Sequence, residues 1–298
     1  MRPLHVKYLF TLLVVLFARS NTHACVAIAE TGLIGVNHED AVIIWDRAHQ
    51  TEHFIRSVSL NTSAKDAGFL VPTPTTPELV TADMRIFNLA EEYFSRYKGL
   101  RDSNALPAAS TNETAPQIVL EEDIGNYHAV VLNATDEKGL GDWLKANGYP
   151  WTDAAAQWLK PYLAAKWKIT AFKFRNAGGG TVPGMLTSAI RMSFRTPRPF
   201  FPYREPAQAG QLSGDYRTLN IAFLGDQRVE GKLEDGTPWP AQAAFAGSTL
   251  DKNEWLQYAK LSGAKLPPKL TYFTDNSNPR PGHADLYFSP SPDQSNTP

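Results

Sequence analysis

Hydrophobic and polar positions along this chain recur mostly at the short spacing of strands. Val42-Ile43-Ile44-Trp45 is a continuous β-rich run, and Phe54 to Leu60 mixes apolar and polar residues closely. Gly68-Phe69-Leu70-Val71 runs into Pro72-Thr73-Pro74, where missing amide donors predict the end of any central ladder. Further strands are predicted at Ile118 to Leu120, His128 to Leu132, Ile169 to Phe174, Ala189 to Phe194 and Leu219 to Leu224. Ile190, Met192 and Phe194 should face one way, and Arg191, Ser193 and Arg195 the other.

Four stretches carry the longer period of helices. From Ala82 to Tyr97, residues Ile86, Phe87, Ala90, Tyr93, Phe94 and Tyr97 make one apolar stripe. Asp136 to Asn147 is the second, with Thr135 as cap and Gly148 suited to the left-handed position past its end. Asp153 to Ala165 is the third, where Pro161 predicts a kink or two shorter pieces. The last opens with Asp251 and Glu254 spaced as a capping box, followed by Trp255, Leu256 and Tyr258.

Strands, then helices, then strands, without regular βαβ alternation, predict an α+β fold. The expectation is a mainly antiparallel sheet with three to four packed helices, in a single domain over residues 25–288. Residues 101–116, poor in apolar side chains, read as a flexible inserted loop, and the last ten, 289–298, as a disordered tail.

The N-terminus changes where this fold is expected to work. Arg2 and Lys7 precede an apolar run from Tyr8 to Ala18, and Thr22-His23-Ala24 makes a small-residue exit. That is the layout of a secretory signal peptide over residues 1–24, with cleavage between Ala24 and Cys25. The run is too short to span a bilayer comfortably, and no later stretch is long and apolar enough for a transmembrane helix. A periplasmic or extracellular location follows, with a retained anchor as the other fate of the segment. Cys25 is the only cysteine, so no internal disulfide can form. It could carry a lipid anchor, pair with another chain or stay an inert thiol; Thr22 stands where lipoprotein signals usually carry leucine.

Removing the three cations Arg2, Lys7 and Arg19 takes the formal charge from -1 to -4. That balance argues against a nucleic-acid partner or an anionic membrane reached by long-range attraction. An envelope protein or glycan fits an exported chain better.

Among chemical motifs, His49, Glu52 and His53 fall in the order H-x-x-E-H, the inverted zinc-peptidase signature. The chemistry needs a helix, which sets residues four apart roughly 6 Å from each other. On a strand, four rises of about 3.3 Å separate them by roughly 13 Å, too far for zinc–nitrogen bonds of about 2 Å. The flanking residues favour a strand, so no metal or other cofactor is expected. Asn176 to Gly184 is glycine-rich but lacks the Gly-Lys-Ser/Thr of a phosphate loop and reads as a hairpin connection. Ser-x-x-K occurs at Ser95/Lys98 and Ser262/Lys265 without the companion signatures of penicillin-binding enzymes. Asn61, Asn112 and Asn133 stand in N-x-S/T sequons. Arg195 to Pro206, RTPRPFFPYREP, is the candidate interaction surface: Phe200, Phe201 and Tyr203 either face a peptide or sugar or pack an extended strap onto the core.

Three stretches resemble the bacterial family designated domain of unknown function 2330: Glu52 to Leu79, Leu140 to Tyr149 and Ala189 to Pro206. LGDWLKANGY is the most specific piece, and the Val-Pro-Thr-Pro turn comes next. The resemblance implies one exported bacterial domain with a cysteine near its mature start, and it brings no reaction, cofactor or catalytic residue. The function expected is therefore a non-catalytic binding or structural module of the envelope. The competing class is a secreted hydrolase, metal-dependent if His49, Glu52 and His53 converge.

Overall fold

The computed structural model describes residues 27–29, 34–62, 67–98, 118–134, 136–149, 151–174, 182–206, 218–241, 243–247, 259–260, 269–277 and 280–295. Strands far outweigh helices, so the chain is mostly β, with three sheets and three short helices among the described residues. The expected α+β fold with three to four packed helices is thus corrected. Several strands were invisible because they are short or sit in Pro-, Asn- and Ser-rich sequence. The helix expected from Asp251 falls outside the described residues, apart from a helical Ala259-Lys260. So do the inserted loop 101–116, Ala24 and Cys25, and most of the Gly-rich stretch.

The first sheet has the order β1 (Ala27–Ala29), β4 (Ala67–Thr73), β8 (Lys168–Phe174), β7 (Tyr127–Leu132) and β6 (Ile118–Ile124), all antiparallel. The second runs β14 (Ala243–Gly247), β15 (Lys269–Asp275), β12 (Thr218–Gly225), β2 (Ile34–Asp46), β3 (Thr51–Thr62), β10 (Ile190–Arg195) and β5 (Glu78–Thr81). β9 (Val182–Leu186) also pairs with β3, and β2 with β12 is a parallel pair. The third sheet is β11 (Phe200–Phe201), β16 (Leu286–Pro290) and β13 (Val229–Leu233).

Alternating side chains explain how the layers stack. In β2, Ala41, Ile43 and Trp45 enter the large core shared with the first and third sheets. Val42 and Ile44 enter another core, under Ile86, Phe87 and Ala90 of α1 (Arg85–Lys98). Likewise Ala129 and Val131 of β7 face the second sheet. Val130 and Leu132 face α2 (Glu137–Ala146) and α3 (Asp153–Ala164). The order is helices, sheet, sheet, helix, and central strands buried on both faces must be apolar at successive positions. That is why Val42 to Trp45 reads as an unbroken run.

The two most specific pieces of the resemblance are structural. α2 starts at Asp136, whose carboxylate accepts from the Gly139 amide at 2.6 Å, rather than at the expected Thr135. It ends with the Tyr149 amide on the Leu144 carbonyl (2.8 Å), the Gly148 amide on Lys145 (3.1 Å), and Gly148 at φ 72°. This paired stop requires a left-handed residue, hence glycine. Tyr149 then stacks on Trp143, and a side chain at Gly68 would meet the Tyr149 ring at 2.7 Å. Pro72 lies inside β4, beyond the three residues that β1 pairs, so its missing amide breaks no second ladder. Pro161 falls in the last turn of a continuous α3. Residues 289–295, expected in a disordered tail, finish β16 and return to Arg228, where Gln294 bonds the backbone amide (3.0 Å) and carbonyl (2.9 Å). No helix among the described residues is long and apolar enough to cross a membrane.

Candidate functional groove

The H-x-x-E-H residues do not come together. His49 sits in the exposed turn between β2 and β3, where Asp46 accepts from its amide (3.1 Å) and bonds its Nδ1 (2.7 Å). That contact holds the Asp46 carboxyl below its ordinary value. Glu52 and His53 follow each other on β3 and point to opposite faces. Glu52 is fully buried in the core, where its Oε2 accepts from the Phe200 amide at 2.9 Å. Burial pushes its pKa well above 4.5, with the Phe200 amide pulling the other way. His53 faces α1's side of the sheet, its Nδ1 2.9 Å from Ser193 Oγ across the β3–β10 pair. Burial, then Arg191, lowers its pKa, keeping the ring neutral near pH 7. Among the described residues no group of three His, Cys, Asp or Glu side chains could hold a metal ion.

A histidine beside a serine is also the contact of a nucleophile with its base. Here Ser193 is 9% exposed, and no carboxylate bonds the other imidazole nitrogen among the described residues. The geometry is that of a cross-strand hydrogen bond.

Phe200, Phe201 and Tyr203 are each 1% exposed, so of the two expected readings their placement is that of a strap packed onto the core. Phe201 packs edge-on against Phe54 at 5.8 Å, and Phe200 against Trp167 at 5.1 Å. They fill the seam where the third sheet meets the other two, as large aromatic areas tend to. Tyr203 also donates to Asp275 Oδ2 (2.7 Å), which Trp239 Nε1 reaches at 3.2 Å. Burial works against ionisation of Asp275, but the Ser277 and Tyr203 hydroxyls outweigh it and hold the pKa low.

What the strap does expose lies one step earlier. Thr196 donates its amide to the Gln50 carbonyl (3.0 Å), the Phe200 amide is on Glu52, and the Pro199 carbonyl accepts from Phe288 (3.0 Å). Between these pins, Pro197, Arg198 and Pro199 form one wall of an open groove of about 470 Å³. The β2–β3 turn adds Trp45, Arg47 and Gln50, and β13 and β16 supply Lys232, Leu233, Tyr287 and Pro290. Gln50 keeps the left-handed φ of 48°, a strained choice for a non-glycine residue that closes the turn.

The groove's cations differ in their freedom. Arg47 is tied to Asp226 (3.1 Å) and Gln227 (2.8 Å), and Lys232 to Glu230 (2.6 Å). The Arg198 guanidinium carbon lies over the Tyr287 ring, 3.6 Å from its centre, and Glu234 stands 3.9 Å away. Burial first, then Glu234 and Asp285, pushes the Tyr287 hydroxyl up to about 12, so it stays a neutral donor. The strap that carries Arg198 was legible as a candidate surface. Tyr287 and Lys232 were not, because the β11–β16 pairing brings Tyr287 to the strap and the β13–β16 pairing sets Lys232 beside it.

These features define a layered, mostly β protein with one open, basic-rimmed and proline-walled groove. The chain belongs to a family described as uncharacterized protein conserved in bacteria (DUF2330), whose model matches residues 20–254. A search of curated proteins finds no match. Among solved structures, the crystal structure of baculovirus P35 aligns at 11% identity over 87% of this chain and 98% of that one, with a TM-score of 0.45. That overlap is too loose to carry any role across.

Proposed function

We propose that the protein is exported to the bacterial envelope and acts there, in the periplasm or outside the cell, as a non-catalytic binding module. The groove beside Arg198 is the observation that carries the reading. Its volume suits a small ligand, its prolines and pinned backbone leave little to order on binding, and Arg198 is held in place by Tyr287. The basic, apolar and small-residue zones of residues 1–24 support export.

Two measurements test it. Fractionation of producing cells, with mass spectrometry of the mature N-terminus, should place the protein outside the cytoplasm beginning at Cys25. Retention of residues 1–24 in the cytoplasm ends the export reading, and a lipid mass on Cys25 would instead anchor the module. For binding, envelope-derived small molecules screened by thermal shift should yield ligands that raise Tm, as any ligand favouring the folded state must. Ser289→Trp, on the groove's exposed rim, should abolish that rise; hits unaffected by it would remove the groove from consideration.

The His53–Ser193 contact favours a second reading, a secreted hydrolase. It requires Ser193 to be labelled by a serine-reactive fluorophosphonate, with labelling lost in His53→Ala. The binding reading predicts no labelling at Ser193.

A further inference from the structure

We infer that the groove recognises the free C-terminal carboxylate of a short peptide segment ending in an apolar residue. This rests on the groove being a binding site and names what it takes.

The argument starts from Arg198. Its guanidinium carbon stands 3.6 Å from the centre of the Tyr287 ring, which limits where the group can lie. Its N–H donors meet the Tyr287 hydroxyl and, at 3.9 Å, a Glu234 oxygen. Glu234 in turn lies nearer to Arg204, at 3.2 Å. A planar group with five N–H donors, held beside a ring and only partly engaged by Tyr287 and the more distant Glu234, matches a carboxylate, which takes two parallel N–H bonds. The other two cations of the groove are already paired at 3.1 and 2.6 Å, so Arg198 is the anchoring point.

The rest of the lining decides what the carboxylate is attached to. Trp45, Pro197, Pro199, Leu233, Phe288 and Pro290 are the mainly apolar side chains of the lining, while Gln50, Ser289 and the Tyr287 hydroxyl are uncharged polar groups. A sugar acid needs a ring of hydrogen-bond partners for its hydroxyls, and this lining is mainly apolar. A long acyl chain needs an enclosed apolar cavity, and this groove is open with Arg47, Lys232 and Glu234 at its rim. A peptide end fits both requirements, with an apolar last side chain against the prolines and leucine and a solvated backbone at the rim.

The test uses full-length mature protein, isotope-labelled, with the Trp45 indole and Arg198 Nε resonances followed in titrations. The probes are a pool of N-acetylated tetrapeptides ending in Ala, Val, Leu or Phe as free acids, and the same pool as C-terminal amides. The expected result is that the acid pool shifts both resonances at least about tenfold more tightly than the amide pool. Arg198→Ala should lose that tenfold and equalise the pools, and Arg198→Lys should recover only part, because lysine cannot fork. Arg198 is exposed, so an unchanged melting curve separates lost binding from lost folding. Equal binding of the two pools overturns the carboxylate while leaving the groove a binding site. Binding of neither pool overturns the peptide, and the binding reading then falls only if the Ser289→Trp screen also fails. An acid preference that survives Arg198→Ala assigns the contact elsewhere and overturns the inference.

Discussion

Two glutamates on the inner face of neighbouring strands, Glu39 of β2 and Glu52 of β3, are equally buried and solve burial in opposite ways. Glu39 stands in a chain of charges: Arg56 Nε at 2.9 Å, Arg280 at 3.5 Å, and Arg280 in turn 3.6 Å from Glu205. Arg56 and Arg280 also lie over the rings of Phe69 and Tyr203. Glu52 has the Phe200 amide at 2.9 Å, and its partners on the two flanking strands are Trp45 and Phe194. A buried carboxylate with cations beside it stays charged and ties segments distant in sequence; one without them does best as the neutral acid. Asp275 and Asp285 also part, but through hydrogen bonds: the Ser277 and Tyr203 hydroxyls hold Asp275 low against its burial, while burial pushes Asp285 up to about 6 although Arg204 stands 3.8 Å away.

The strongest way to break this contrast is Glu39→Ala, which removes the buried carboxylate shared by Arg56 and Arg280 and should cost about 3–5 kcal/mol. Urea unfolding measures it, and a loss below about 1 kcal/mol would mean water reaches those arginines. Asp275→Asn comes next, at about 1–3 kcal/mol, because Tyr203, Trp239 and Ser277 lose a charged acceptor. Its sign with pH is also set: a lowered folded pKa gives stability that is present above the ordinary value of 3.8 and lost as pH falls below it. The variant should therefore lose less than the parent on acidification.

Glu52→Gln should move the other way. Its raised pKa means stability is greatest below 4.5 and declines as pH rises toward the folded value, since the unfolded chain ionises first. Glutamine keeps a carbonyl for Phe200, so the variant should match the parent near pH 4 and equal or exceed it near pH 8. Asp285→Asn should remove the corresponding decline between 3.8 and about 6. Parallel pH profiles of parent and Glu52→Gln would show that Glu52 is charged in the fold. The smallest expected effect is Arg198→Ala, within about 0.5 kcal/mol because the side chain is exposed, which leaves binding as its readout.

Glu52 also shows how far the sequence reaches. The strand around H-x-x-E-H was legible from its β-rich flanks, and a strand alone separates Glu52 from His53. That Glu52 is buried, and that it holds the strap through Phe200, 148 residues away, was not. Phe200, Phe201 and Tyr203 were open between surface and core because twelve residues of Pro, Arg and aromatics suit both. The outcome depended on β16 pairing with β11, and no strand is predicted from the sequence at Leu286–Pro290.

By itself the sequence determined the elements whose signal is local. The α1 stripe, the Gly148 stop, the Val42–Trp45 strand and the family signature all rest on spacing and backbone preference within about a dozen residues. The tertiary structure decided the mostly β, layered architecture, the burial of Glu39 and Glu52, and the groove. Each of these is set by pairings between distant strands, and a short strand stabilised by its neighbours carries little signal of its own.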